Sequence, residues 1–144
     1  MNNAKINFFY TSTPSIILFV ACLPFEGFSV ENKSSWNGFG ILLVGIFSGS
    51  IYWYANLLLF AAWGYIKLKM KIPACIASSA AVILSFSFLF AVDVIVDEGG
   101  GKQVINGYLT GYWLWLLSMI FAFISAVLMR KNDNSLQVQS KVDQ

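Results

Sequence analysis

The sequence predicts an all-α membrane protein: a four-transmembrane-helix bundle with one additional short interfacial or re-entrant helix over residues 36–47. Three observations predict it. Two runs, Pro73 to Val92 and Tyr108 to Met129, hold no charged residue over 20 and 22 positions, and a helix of roughly 20 apolar residues spans the ~30 Å hydrocarbon core of a bilayer. The chain is 58% hydrophobic and only 11% charged. Soluble domains carry ~25% charged residues, so a water-soluble fold of this composition would lack polar surface to cover itself. The charges, finally, are distributed unevenly between the apolar runs.

The first span is read over residues 6–25. It contains a polar patch, Thr11-Ser12-Thr13-Pro14-Ser15, which a membrane helix tolerates because hydroxyls bond back to their own helix and proline is accommodated locally. The next region, Trp36 to Ile66, has 31 residues, ~46 Å as a straight helix and too long for one modestly tilted span. Ser48-Gly49-Ser50 is the natural break. The expected division is a short helix over 36–47 and a second span over 51–66, with a single bent helix as the competing form. The third and fourth spans are 73–92 and 108–129. Residues 1–131 thus form one helical domain, and the polar tail 132–144 is expected to be disordered.

Charge fixes the expected orientation. Lys5 precedes span one, Lys67, Lys69 and Lys71 separate spans two and three, and Arg130 and Lys131 follow span four. By the positive-inside rule all three places are cytoplasmic, which places both termini inside. That side carries seven basic and two acidic residues, and the other two basic and five acidic. Tyr52, Trp53 and Tyr54, with Tyr108, Tyr112, Trp113 and Trp115, fall at outer span ends, where amphipathic rings act as headgroup anchors.

Enzymatic chemistry is not expected. There is no histidine, the commonest general base and metal ligand, no mid-membrane carboxylate, and no Asp–Asp or serine–lysine pair at helical spacing inside a span. Cys22 and Cys75 lack the CxxC spacing of redox or zinc sites. Cys22 follows a short apolar run ending in Phe19-Val20-Ala21, which admits an alternative in which the chain is cleaved and lipidated there. No cofactor and no nucleic-acid partner is implied, and the oligomeric state is open.

Several residues remain as candidates. Asn56 is the most polar side chain inside a span; a buried amide needs partners, so it serves either as interhelical glue or as a contact in a binding cavity. Ala77, Ala81 and Ser85, and Ser118, Ala122 and Ala126, form stripes of small residues at i, i+4 spacing, which favour close packing of spans three and four. Glu26, Glu31, Asp93, Asp97 and Glu98 give the outer face a negative field for a partner to meet. The loop holding the last three lacks the spaced oxygen ligands of a calcium site, and Gly99-Gly100-Gly101 is no phosphate loop.

The layout resembles a family of small, uncharacterised bacterial four-span inner-membrane proteins. The resemblance covers residues ~5–130 and rests on Cys22-Leu23-Pro24, Trp53-Tyr54-Ala55-Asn56, Asp97-Glu98-Gly99-Gly100 and Gly111-Tyr112-Trp113-Leu114-Trp115. Leu57 stands where that family often has proline, so no proline kink follows Asn56. The resemblance implies topology and a bacterial inner membrane, without an activity. The expected role is that of a non-enzymatic protein that binds a membrane or periplasmic partner, with an immunity protein against a membrane-targeting toxin as its concrete form. The alternative is a small channel or transporter subunit working as an oligomer.

Overall fold

A computed structural model describes residues 3–30, 35–47, 50–95 and 102–129. Five helices are present among them: α1 (Asn3–Cys22), α2 (Gly38–Val44), α3 (Tyr54–Lys67), α4 (Lys71–Ser87) and α5 (Thr110–Leu128). Single 3₁₀ turns, Ile51–Trp53 and Phe88–Phe90, precede α3 and follow α4. Four short strands complete the fold: β1 (Glu26–Val30), β2 (Ser35–Asn37), β3 (Asp93–Ile95) and β4 (Lys102–Tyr108).

The strands correct the all-α expectation. They form one antiparallel sheet of order β2-β1-β4-β3, in which Ser29 faces Gly107 and Val94 faces Gln103. The segments between helices look like loops in the sequence. Their backbone donors and acceptors lie against the end of a helical bundle, and pairing with one another satisfies them. Val104, Ile105 and Tyr108 give β4 the β-branched and aromatic character that a half-buried strand favours.

Helix boundaries shift accordingly. The first helix stops at Cys22 rather than continuing to residue 25, because Leu23 precedes Pro24 and the residue before proline disfavours helix. Pro14 is accommodated inside α1. Between 36 and 66 the described residues hold two helices, α2 and α3, and Ser48 and Gly49 of the expected break lie outside the described residues. The first is shorter than the expected 36–47: Asn37 ends β2 and caps α2, its Oδ1 accepting the Gly40 amide at 2.8 Å. Span four begins later than expected, since Tyr108 closes β4 and the helix starts at Thr110. Among the described residues two helices are long and apolar enough to cross a membrane, Lys71–Phe90 and Thr110–Leu128. Helix α3, with 14 residues, is ~21 Å long at 1.5 Å per residue.

The connections place the C-terminal ends of α1 and α4 and the N-terminal ends of α3 and α5 beside the sheet. Lys67, Lys69 and Lys71 lie at the opposite end, around the turn from α3 to α4; Lys69 adopts a positive φ of 59° there.

Three clusters fill the interior. Mid-bundle, Phe19 of α1, Leu59 of α3, Ala81 of α4, and Met119 and Ala122 of α5 meet. Ile66, Ala74 and Ala126 pack toward the lysine end. Phe28, Val30, Phe88, Tyr112 and Leu116 join sheet to helices. Hydrogen bonds cross the bundle too: Trp63 Nε1 donates to Ser15 Oγ at 2.9 Å, and that hydroxyl donates to the Ser118 carbonyl at 2.7 Å. A side chain expected to bond to its own helix thus links three.

Candidate functional site

A partly open cavity of about 270 Å³ lies where the sheet meets the bundle. This is just below the ~300–1,000 Å³ of small-molecule sites. Helix α1 contributes Phe19 and Cys22, α2 Ile41 and Leu42, and the turn before α3 Tyr52 and Trp53. Phe28 of β1, Phe88, and Tyr112 and Trp115 of α5 form the remaining wall, and Asn56 is its amide.

Local structure holds this wall in place. The Gly38 amide donates to the Phe25 carbonyl at 2.8 Å and the Phe39 amide to the Leu23 carbonyl at 2.9 Å, which fixes the start of α2 against the end of α1. Trp53 Nε1 donates to the Leu42 carbonyl at 2.9 Å, satisfying one of the acceptors that a helix C-terminus leaves unpaired. The Leu109 amide donates to the Gly27 carbonyl at 2.9 Å. Gly111 permits the close approach of α5 to β1: a Cβ there would meet the Phe25 and Glu26 carbonyl oxygens at 2.7 and 2.8 Å.

The aromatic rings anticipated as headgroup anchors divide into two groups. Tyr54 and Trp113 are exposed. Tyr112 is buried and its hydroxyl donates to the Ser85 carbonyl at 2.9 Å. Tyr108 donates to the Phe88 carbonyl at 2.6 Å and stacks 4.7 Å from Tyr112. Burial raises the Tyr108 pKa above the usual phenol value, with a smaller contribution from Tyr52. These rings face the interior because the sheet covers them.

Asn56 is only 5% exposed. Trp115 Nε1 donates to its Oδ1 at 2.8 Å, joining α3 to α5. That bond fixes the amide's orientation, because only the oxygen can accept from an indole N–H. Asn56 thus bridges α3 and α5 and borders the cavity.

The six small-stripe residues are all buried. Ala81 and Ala122 share the mid-bundle cluster, and Ala126 packs with Ala74. Ser118 turns its carbonyl toward α1, through the bond from Ser15. Cys22 is buried at the end of α1, its thiol donating to the Phe19 carbonyl at 3.0 Å. Glu26 and Asp93 are exposed, at the starts of β1 and β3, and Asp93 stands at the cavity. Glu31, Asp97 and Glu98 lie outside the described residues. No group of three or more His, Cys, Asp or Glu that could hold a metal ion occurs among the described residues.

The sequence reading missed Phe28, Phe88 and Gly111. The signal for Gly111 was present in Gly111-Tyr112-Trp113 at a helix start; Phe28 and Phe88 carried none, because a phenylalanine in an apolar run looks the same whether it faces lipid or a cavity. The chain matches no family model, and neither a curated protein nor a solved structure matches it.

Proposed function

We propose that the chain is a non-enzymatic, four-span integral protein of the bacterial cytoplasmic (inner) membrane that binds a membrane or periplasmic partner at its sheet-capped end. The observation that carries the binding reading is the apolar cavity at that end, walled by aromatic rings and holding a single buried amide. Apolar concavities with a few placed polar groups are the usual form of a binding site.

The membrane placement is supported by how side chains are sorted. Small residues, Ala55, Ala62, Ala81, Ala122 and the serines 78, 85 and 118, line the bundle interior around Leu59 and Met119. Large apolar residues such as Ile76, Ile83, Phe86 and Ile124 are turned outward. In water a continuous exposed apolar face is a liability. In lipid, small interior residues and a large apolar exterior are what helix packing requires. The spans are then α1, Ile51–Lys67, Lys71–Phe90 and Thr110–Leu128, with both termini and the three lysines cytoplasmic. Such a layout leaves α1 in place as a span, with Phe19 in the core, rather than removed by cleavage before Cys22.

Within this class we favour an immunity protein whose outer end intercepts a membrane-targeting toxin, in keeping with the resemblance to small four-span bacterial proteins. A channel would need several copies, because Leu59 and Met119 fill the axis of a single bundle.

Reporter fusions test the topology. A periplasmic phosphatase joined at Gly100 should be active, and one joined at Lys69 inactive; equal activity at both sites overturns the four-span arrangement. The immunity reading is tested in a strain that carries a neighbouring toxin gene. Deletion of this gene should sensitise the cells, and unharmed cells would end that reading.

A further inference from the structure

We infer that the cavity is a lipid site: it takes an acyl chain of a membrane phospholipid and holds that chain's ester carbonyl on Asn56 Nδ2. The inference rests on the membrane placement proposed above and names an occupant for the cavity.

The argument begins with the amide. Asn56 Oδ1 is engaged by Trp115, and among the described residues Asn56 Nδ2 has no hydrogen-bond partner. The side chain is 5% exposed and borders the cavity. An amide donor that opens on an apolar cavity gains from an acceptor that enters it, so the cavity presents a donor that calls for an acceptor. The surrounding wall offers Phe19, Phe28, Phe88 and Leu42, which suits an alkyl chain and no charged group. The occupant therefore has an apolar body with a hydrogen-bond acceptor at one end.

Depth and chemistry select the lipid. Asn56 lies in the first turn of α3, next to the sheet that closes the bundle. In the proposed placement that is the boundary between hydrocarbon and headgroups, where phospholipid ester carbonyls reside. An ester carbonyl arrives with no donor of its own. A helix entering from the membrane has already spent its carbonyls on its own backbone, as every membrane helix must.

Photolabelling in proteoliposomes tests this. The full chain is reconstituted with phosphatidylethanolamine bearing a diazirine in the acyl chain near its ester carbonyl, and separately with the ether-linked analogue, which lacks that carbonyl. The expected result is adducts on the cavity residues Phe19, Cys22 or Phe28 with the ester lipid. They should fall by about twofold to tenfold with the ether lipid, the range of one net hydrogen bond. Asn56→Leu should lower ester labelling to the ether level. Because the ether arm uses the unaltered chain, the test stands even if the variant folds poorly. Adducts confined to outward residues such as Ile76 and Ile83 overturn the lipid site, and equal cavity labelling by both lipids overturns its ester-carbonyl bond to Asn56; both leave the membrane placement intact. A chain that labels nowhere and stays out of the vesicles removes both.

Discussion

Midway along the bundle Leu59 and Met119 are buried among the small residues Ala62, Ala81, Ala122 and Ser118, whereas at the sheet-capped end Phe28, Phe88, Tyr112 and Leu116 are buried against one another. The two regions use the same helices, since Ala81 lies in α4 and Phe88 in the turn that continues it, and Ala122 and Tyr112 belong to α5. Along α4 and α5 the inward residues grow larger toward the sheet. Small residues let backbones approach closely and leave no void. Large rings hold the elements apart, because helix separation follows the side chains at the contact. Rings also fill space less completely than interlocked backbones, and the cavity sits where they meet. The amide of Asn56 stands at the transition, one residue after Ala55 of the close-packed region and hydrogen-bonded to Trp115 of the aromatic one.

The largest effect should come from the aromatic region. Phe88 is 8% exposed and Phe86, two residues earlier, is 52% exposed. Phe88 packs against Phe28, Tyr52, Tyr108 and Tyr112, with centroids 5.1 to 5.9 Å apart. Phe88→Ala is expected to cost about 3–5 kcal/mol and Phe86→Ala within about 0.5 kcal/mol. Unfolding in detergent mixtures of increasing SDS content measures both. Equal costs would mean that the two faces of α4 are not distinguished as described.

A smaller effect is expected mid-bundle. Ala122 is fully buried against Ala81 and Leu59. Ala122→Leu should destabilise by about 1–3 kcal/mol through overpacking, while Phe123→Leu on the outward face stays within about 0.5 kcal/mol. The same SDS titration reads this. A silent Ala122→Leu would show room between α4 and α5, and the contrast with the aromatic end would lose its basis.

The bundle was far more legible in the sequence than the cap. Uncharged runs and small-residue stripes are local patterns, so α4 and α5 and their inward faces could be read from spacing alone. Asn56 stood out because an amide is rare in an apolar run. The sheet could not be read in this way. Its strands are three to seven residues long, and β1 pairs with β4, about 80 residues distant in sequence. Nothing in Glu26-Gly27-Phe28-Ser29-Val30 names that partner. The aromatic belt is hard to read from sequence for a related reason. Tyr112 and Trp113 are adjacent and chemically alike as interfacial rings, yet one is buried and the other exposed, and only the position of the sheet decides between them.

The finest test of the comparison concerns α2, which lines the cavity through Ile41 and Leu42. This helix has seven residues and buries none of them, and isolated helices of that length are marginal. Its order depends on the Asn37 cap and on the amides of Gly38 and Phe39 that reach back to α1's end. Asn37→Ala should cost about 1 kcal/mol, felt locally. Hydrogen exchange should speed up about fivefold at the amides of α2, with no change in α4 or α5, since loss of a cap frays one short helix and leaves the close-packed interior untouched. The SDS midpoint should stay where it is. If exchange instead rises in α5 as well, cap and bundle open as one cooperative unit. The two packing regimes would then be two ends of a single structure rather than a rigid frame carrying a separately loosened mouth.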